Sequence, residues 1–232
     1  YLTEQGITIL NDVTLNSVSN DGNKPVITAN GQNYTFDAVL YATGRKPNTA
    51  NIGLENTDIT TNERGAIVVN DTCESSVPGV YAVGDVNGGP QFTYISLDDF
   101  RIVFGALTGN GQYTLKDRKN IPYTTFLTPP LARVGLTEED AINKGYTVKT
   151  KEMLVATMPR AHVNDYLKGA FKIVVNADND LILGATLYSQ GAEELINLIK
   201  MAMDNNIPYT YFKNQIFTHP TMAENLNDLC NF

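Results

Sequence analysis

The segment Val80–Pro90 limits the possible folds of this chain more than any other part of its sequence. A short apolar run ends there in Gly84-Asp85 and continues into a glycine-rich turn. Apolar residues then recur at helical spacing, which predicts a helix over Thr93–Leu107 that ends at Gly109. A carboxylate at the carboxyl end of a buried strand, beside a helix N-terminus, is a common way to hold a ribose or ribityl hydroxyl. The pattern predicts a strand–turn–helix unit of an α/β domain, although a Gly-Asp pair after a strand is also common as a simple turn.

Charge and composition exclude several classes of partner. The net charge is −8 and no run of lysine or arginine is present, which makes nucleic acid and anionic membrane surfaces poor candidates. No apolar run approaches the roughly 18–20 residues that span a bilayer. Cys73 and Cys230 lie far apart, which favours a reduced, cytoplasmic compartment over a disulfide scaffold. No cluster of histidine, cysteine and carboxylate residues has the spacing of a metal site, so we expect none.

The part of the chain before residue 109 contains several further candidate strands. The run Ala38–Ala42 is apolar throughout, which predicts a strand buried on both faces, as in a parallel sheet. It ends at Gly44, where the lack of a side chain would allow the backbone to approach a ligand or simply to turn. Asn30-Gly31 predicts a tight hairpin turn. The other candidate strands are Ile7–Leu10, Val13–Val18, Val26–Ala29, Tyr34–Phe36, Gly65–Asn70 and Val80–Val83.

A polar segment over residues 109–119 is the best candidate linker, and the pattern beyond it is α+β. Thr137 and Asp140 predict a capped helix start, and apolar spacing predicts a longer helix over Ala192–Met203. A last short helix is predicted over Thr221–Asn231. The candidate strands are Tyr123–Leu127, Ala132–Leu136, Thr147–Ala156, Phe171–Asn176 and Leu181–Tyr188.

The hexapeptide His219–Glu224 is a candidate for acid–base chemistry. His219 precedes the predicted helix and Glu224 lies in its first turns, so the carboxylate could reach back to one imidazole nitrogen. Such a contact would orient the ring and favour its protonated form, which is the arrangement that general acid–base catalysis needs. A histidine and a helix-capping glutamate without any relation would give the same six residues.

Four segments, in this order and at these spacings, resemble the C-terminal part of the flavoprotein pyridine nucleotide–disulfide oxidoreductases. That family includes glutathione reductase, dihydrolipoamide dehydrogenase and mercuric reductase. The residues Gln91–Ser96 and Met158–His162 are most similar to mercuric-reductase-like bacterial flavoproteins, some of which reduce oxidants such as hypothiocyanous acid. The four segments are Leu40–Asn48, Val80–Asp85, Phe126–Glu138 and His219–Glu224.

The resemblance implies a fold of the α/β plus α+β class. Partial doubly wound nucleotide-binding domains would be followed by an α+β interface, or dimerisation, domain. Residues 1–45 would be the end of the NAD(P)-binding domain and residues 46–119 the returning part of the FAD-binding domain. Residues 120–232 would form the interface domain, through which two copies pair as a homodimer.

The resemblance also implies roles for individual residues. In the family, hydride passes from NAD(P)H to FAD, then to a cysteine pair and finally to an acceptor. Gly84 and Asp85 would then contact the ribityl chain of FAD, and the backbone at Phe92 and Thr93 would face the pyrimidine end of the flavin. Gly44 would allow a close approach to the cofactor. His219 would serve as acid–base group for the cysteine pair of the partner subunit, with Glu224 orienting its ring.

Several family features are absent from this sequence. No Gly-x-Gly-x-x-Gly follows a strand and no Cys-x-x-x-x-Cys is present, and the chain begins at Tyr1 rather than methionine. We therefore expect a C-terminal portion of a longer enzyme that is inactive alone and holds FAD weakly or not at all. Two alternatives stay open. The chain could be a self-associating structural module without a cofactor role. The protein itself could also be a complete, active flavoprotein, of which this sequence represents only one segment. The acceptor and the choice between NAD and NADP depend on residues outside this sequence.

Overall fold

A computed structural model describes all 232 residues, and the chain divides into two units, Tyr1–Leu115 and Lys116–Phe232. The first unit contains three strands and one α-helix, and the second contains five strands and five α-helices. In chain order the elements are β1 Leu15–Asn20, β2 Pro25–Ala29, β3 Gln32–Thr35, α1 Thr93–Thr108, β4 Tyr123–Thr125, β5 Leu131–Gly135, α2 Glu138–Asn143, β6 Val148–Leu154, α3 Pro159–Val163, β7 Ala170–Asn176, β8 Ile182–Tyr188, α4 Ala192–Asp204, α5 Tyr209–Asn214 and α6 Asn225–Leu229.

The first unit begins with a three-stranded antiparallel sheet in the order β1-β2-β3. The hairpin between β2 and β3 turns at Asn30 and Gly31, which both have positive φ, 49° and 76°. A two-residue loop with this backbone matches the right-handed twist of the flanking strands. The predicted Asn-Gly turn is therefore confirmed.

Four of the predicted strands are wrong. Ile7–Leu10 and Ala38–Ala42 have no strand structure, and Leu40 is 89% exposed. Gly65–Asn70 and Val80–Val83 contribute only isolated bridges. A strand requires a neighbour that pairs with its amide and carbonyl groups, and no strand of the three-stranded sheet lies against these segments. The apolar composition of these segments correctly predicted that Ile67 and Ala82 are buried. It did not predict whether a neighbouring strand pairs with the segments.

Helix α1 follows the prediction closely. It begins after Phe92, whose φ of −132° is extended, and ends at Gly109, whose φ of 72° is left-handed. The buried side chains are Ile95, Asp99 and Ile102, so one narrow face of the helix packs inward. Before it, Gly84–Asn87 forms a 3₁₀ turn.

The second unit is built on a five-stranded antiparallel sheet in the order β4-β5-β8-β7-β6. The central strands bury large side chains completely, Phe171 and Ile173 from β7 and Leu187 from β8. Helix α4 packs against this core through Ile196 and Ile199. Full burial of a large apolar side chain stabilises a fold by about 1.5–3 kcal/mol, so this unit has a substantial core of its own.

The helices of the second unit agree with the prediction only in part. The capped start at Thr137 is confirmed, because Thr137 and Asp140 exchange side-chain and backbone hydrogen bonds. Helices α3 and α5 were not predicted. The helix expected over Thr221–Asn231 is limited to Asn225–Leu229, since Thr221 and Glu224 bond each other in a turn before it. None of the helices combines the length and the apolar composition that crossing a bilayer requires.

Candidate functional site

The turn Gly84–Asn87 is held in place by a buried carboxylate of helix α1. One oxygen of Asp99 accepts a hydrogen bond from the Gly84 amide at 2.7 Å and another from Asn87 Nδ2 at 2.9 Å. Asp99 is fully buried. Because Gly84 and Asn87 begin and end the turn, these two bonds fix the backbone that carries Asp85. Asp99 was not recognised in the sequence, since it lies 15 residues from Gly84.

Gly84 lies in direct contact with the first turns of α1. A Cβ built on this residue would lie 2.6 Å from Ser96 Oγ, and the φ of +72° is left-handed. A side chain would therefore meet both a steric clash and backbone strain. The structure thus brings Gly84 and Asp85 to the end of the helix where Phe92 and Thr93 lie.

No side chain caps the N-terminus of α1 by a hydrogen bond. Phe92 is the residue before the first turn, and its ring stacks on Tyr94 with centroids 5.0 Å apart. The first amides of a helix lack intrahelical acceptors, and the helix dipole there favours negative charge. The sixteen-residue α1 is long enough for this effect at Thr93.

The Asp85 carboxylate faces solvent and is paired with a basic side chain. Its Oδ2 lies 3.4 Å from Nη1 of Arg45, and the two side chains are 44% and 71% exposed. An ion pair this exposed contributes at most about 1 kcal/mol, so it is readily exchanged for another partner. Gly44, the residue before Arg45, has a φ of +104° and open space where a Cβ would be. The contact with Arg45 therefore places the segment around Gly44 next to Asp85. The two residues are 40 positions apart, and the sequence did not predict this contact.

A basic cavity of about 390 Å³ begins beside this ion pair. Three of its lining side chains are cationic, Arg45, Lys46 and Arg64, in a chain whose net charge is −8. The backbone of Gly88 forms part of the wall. Positive charge concentrated in a concave site attracts anionic groups such as phosphates.

Asp99→Ala tests the support of the Gly84–Asn87 turn. We expect the free energy of unfolding of the first unit to fall by about 2–4 kcal/mol, because two donors lose a carboxylate acceptor. Urea denaturation of the 232-residue chain, followed by helical circular dichroism, measures the change. Asp98→Ala is the matched control, since Asp98 is the half-buried neighbouring aspartate, which accepts a bond from Tyr113 at 3.3 Å. Equal losses in both variants would contradict this role for Asp99.

In the second unit, His219 and Glu224 form a hydrogen-bonded pair. His219 Nδ1 lies 2.8 Å from Glu224 Oε2. The other carboxylate oxygen, Oε1, accepts the Thr221 amide at 3.0 Å, and Thr221 Oγ1 accepts the Glu224 amide at 3.2 Å. The carboxylate is thus held from two sides, one of them a capping-box arrangement that the Thr-x-x-Glu spacing encodes.

The electrostatics of the pair favour an ionised Glu224. The hydrogen bond with His219, assisted by the Thr221 amide, lowers the pKa of the Glu224 carboxyl below its usual 4.5. The pair therefore stabilises the fold fully above that value, and this contribution is lost as the pH falls through the lowered pKa. With the carboxylate ionised, Nδ1 carries the hydrogen and donates it. The imidazole is 68% exposed, which leaves Nε2 accessible.

The two cysteines and the second histidine do not form a site. Cys73 and Cys230 are both buried and lie in different units. Burial raises the pKa of the Cys230 thiol to about 12, so the reactive thiolate does not form near neutral pH. No three metal-ligating side chains are grouped anywhere in the chain. His162 Nε2 contacts the carbonyl of Ala156 at 2.8 Å and has no carboxylate partner.

Comparison with protein families gives two matches that together span most of the chain. The model described as pyridine nucleotide-disulphide oxidoreductase matches residues 1–99. The model described as the dimerisation domain of pyridine nucleotide-disulphide oxidoreductases matches residues 121–230.

Individual relatives agree with these matches. The chain is 44% identical over 228 residues to the probable pyridine nucleotide-disulfide oxidoreductase RclA of Escherichia coli (strain K12), covering 98% of this chain and 52% of that protein. It is 36% identical to a mercuric reductase of Staphylococcus aureus, covering 97% of this chain and 42% of that protein. The chain therefore spans about half the length of the curated relatives it matches.

A solved structure confirms the fold class. The HOCl-induced flavoprotein disulfide reductase RclA from Escherichia coli superposes with a TM-score of 0.94 at 43% identity, over 99% of this chain and 53% of that chain. A nucleotide-binding part followed by an α+β dimerisation domain was predicted from the sequence. The resemblance to this family and to mercuric reductases is confirmed by the same comparisons.

Proposed function

The chain belongs to the pyridine nucleotide-disulphide oxidoreductases, and from that premise we propose that it supplies the acid–base and interface half of a dimeric, FAD-dependent oxidoreductase. Reductases and dehydrogenases of this family are its relatives. The complete oxidoreductase means here the polypeptide that includes these residues and the part of the relatives' length that the chain does not span. It would take electrons from NAD(P)H and pass them through FAD and a cysteine pair to an acceptor.

The observation that carries this proposal is the hydrogen-bonded pair of His219 and Glu224. A histidine oriented by a carboxylate through Nδ1 can accept a proton at Nε2 from a thiol and return it to a leaving group. Glu224 would stabilise the imidazolium that forms in between. Because the imidazole is exposed, its Nε2 can meet a group supplied by another chain. We assign that group to the redox cysteine pair of the partner subunit.

The first unit contains groups that fit part of an FAD molecule. Asp85 offers an accessible carboxylate to ribityl hydroxyls, and Gly84 offers a backbone that approaches closely without a side chain. The uncapped N-terminus of α1 at Phe92 and Thr93 suits the electron-rich pyrimidine edge. When bound, FAD would supply the hydride-accepting ring. The basic cavity next to Arg45 suits the phosphate groups that both FAD and NAD(P)H carry.

Dimerisation belongs to the same proposal. We place the interface within residues 120–232, which are nearly the span of the dimerisation-domain match. Large apolar side chains are exposed on this unit, among them Ile216 at 94%, Val163 at 64% and Tyr211 at 52%. Burying such side chains against a second copy would stabilise the assembly.

The chain alone is proposed to be inactive, because it has no Cys-x-x-x-x-Cys and its two cysteines are buried in different units. Buried thiols that form no disulfide suit a reducing compartment, and we place the complete oxidoreductase in the cytoplasm.

One experiment tests the function as a whole. The complete oxidoreductase is purified and titrated anaerobically with NADH and with NADPH while the flavin absorbance is recorded. Turnover is then measured with a disulfide, with Hg(II) and with a HOCl-derived oxidant as acceptors. Bleaching of bound flavin and turnover of one acceptor class support the proposal. A colourless protein that sediments as a monomer would overturn it, and a colourless dimer would favour a purely structural module.

Asp85→Ala tests the flavin contact. We expect the affinity of the complete oxidoreductase for FAD to fall by about 10–100-fold, because a hydrogen bond to a charged group contributes roughly 1.5–3 kcal/mol. Equilibrium dialysis of the reconstituted apoprotein measures this change. Asp37→Ala is a suitable control, since Asp37 is likewise an exposed aspartate paired with a basic side chain, Lys24 at 2.7 Å. Wild-type affinity in Asp85→Ala would remove Asp85 from the site.

A further inference from the structure

The chain between α5 and His219 has no regular structure of its own, although it must place the imidazole accurately. Residues 215–218 form neither helix nor strand, and Ile216 is 94% exposed. His219 itself is exposed and its ring makes one hydrogen bond, to Glu224. The position of His219 therefore depends on what holds the backbone just before it.

Thr221 Oγ1 donates to the carbonyl oxygen of Thr218 at 2.7 Å, and one side chain of α6 holds the backbone ahead of that contact. Nδ2 of Asn227 donates to the carbonyl oxygen of Phe212 at 2.6 Å and to that of Gln215 at 2.9 Å. It also lies 3.3 Å from the carbonyl oxygen of Lys213. An amide nitrogen carries two hydrogens, so the third contact shares one of them. These carbonyls belong to the end of α5, where the last acceptors of a helix lack intrahelical donors.

Helix α6, which carries Asn227, is anchored in the core of the second unit. Leu226 and Leu229 are fully buried in the core of the second unit, and Asn225 is 2% exposed. Asn225 Nδ2 donates to the carbonyls of Thr221 and Met222, at 3.2 and 3.1 Å, so the turn before α6 is fixed from the same helix. Glu224 is the residue that immediately precedes α6. Glu224 is thus attached to α6 directly, and His219 is connected to the same helix through the contacts of Asn227.

We propose that Asn227 is a positioning residue that binds the end of α5 to α6 and so keeps His219 within hydrogen-bonding distance of Glu224. The inference rests on the proposed acid–base function, for which the orientation of the imidazole matters. Asn227 acts on the backbone at Phe212 and Gln215 rather than on any reacting atom. Its removal loosens the backbone at Gln215 and Ile216, ahead of Phe217, which packs against the core, and the imidazole then samples orientations in which Nδ1 no longer meets the carboxylate.

The Glu224 carboxyl reports on this geometry directly. Its pKa is lowered first of all by the hydrogen bond with His219, so loss of that bond raises the pKa toward the usual value. A side chain that only stabilised α5 would change the free energy of unfolding without changing this titration. The carboxyl pKa therefore separates positioning from general stabilisation.

The test is a carbon-13 NMR titration of Glu224 in the 232-residue chain. Asn227→Ala should raise the pKa of Glu224 in the same direction as His219→Ala. Asn205→Ala is the matched control, because Asn205 Nδ2 likewise donates to a helix carbonyl, that of Met201 at 2.8 Å, at the end of α4. It should leave the Glu224 titration unchanged. A folded Asn227→Ala variant with the wild-type titration would overturn the inference.

A second measurement needs no variant and applies even where Asn227→Ala does not fold. Both side-chain amide hydrogens of Asn227 should exchange slowly with solvent in the wild-type chain, and fast exchange would overturn the proposal. The outcome is independent of turnover. If His219→Ala kept full activity in the complete oxidoreductase, the proposed function would fail while the titration result for Asn227 stood unchanged.

Discussion

Replacing His219 by alanine in the complete oxidoreductase is expected to lower the turnover number by a factor of about 10²–10⁴, the usual contribution of a positioned acid–base group. The reason lies in the pair at 2.8 Å, where Glu224 fixes Nδ1 and leaves Nε2 exposed for proton transfer. Steady-state kinetics with NAD(P)H and the acceptor measure the loss. The Michaelis constant for NAD(P)H should change little, because His219 is assigned to the later proton transfer.

The half-reactions locate the defect. Reduction of the flavin by NAD(P)H, followed by stopped-flow absorbance, should proceed at the wild-type rate in His219→Ala. Reoxidation by the acceptor should be slow, since the thiol pair then lacks its proton acceptor. Slow flavin reduction with normal reoxidation would contradict the assignment.

His162→Ala provides the control, because the chain has two histidines and His162 contacts a backbone carbonyl rather than a carboxylate. Its turnover should match the wild type. Glu224→Gln should give an intermediate loss, since the amide retains the shape of the carboxylate but not its charge. Unchanged turnover in His219→Ala would remove the acid–base role from this chain.

The sequence predicted those elements that depend on local signals. All five strands of the second unit lie within a few residues of their predicted bounds, because each is a short run with β-branched, aromatic or apolar residues between turn residues. Gly109 ends α1 and Thr137 begins α2, as their capping chemistry requires. In each case the determining residues lie within a few positions of the feature.

The strand predicted at Ala38–Ala42 shows where this reasoning stops. Its apolar composition predicted burial on both faces, yet Leu40 and Tyr41 are 89% and 65% exposed. Hydrophobicity indicates that a segment favours burial, but only pairing with neighbouring strands makes it a strand. Pairing is a long-range property, and no signal within the segment specifies the partner.

The contacts of the candidate site are also of two kinds, local ones that the sequence indicated and long-range ones that it did not. The sequence indicated that Glu224 could reach His219, because the two residues lie only five positions apart. The supporting contacts span longer distances, 15 residues from Gly84 to Asp99 and 40 from Arg45 to Asp85. No local sequence pattern predicts hydrogen bonds between an aspartate and groups this far away along the chain. These contacts could therefore be identified only from the structure.

Gly169→Ala should be the most destabilising small substitution in the second unit. A Cβ at this position would lie 1.8 Å from the carbonyl oxygen of Tyr188, at the start of β7 where Ala170 pairs with Tyr188. The φ of +126° is also strained for any residue with a side chain. We expect a loss of about 2–6 kcal/mol in the free energy of unfolding, combining backbone strain of roughly 1–3 with overpacking of roughly 1–3 kcal/mol.

Gly145→Ala separates the two causes of that loss. Gly145 also has a positive φ, +84°, but nothing lies within 4 Å of the position of a Cβ. This control should cost about 1–2 kcal/mol from backbone strain alone. The comparison uses urea denaturation of the 232-residue chain, with the signal of the second unit followed by hydrogen exchange. Equal losses in the two variants would show that the backbone at the start of β7 and the end of β8 relaxes around an added methyl group, because the clash with the Tyr188 carbonyl would then contribute nothing.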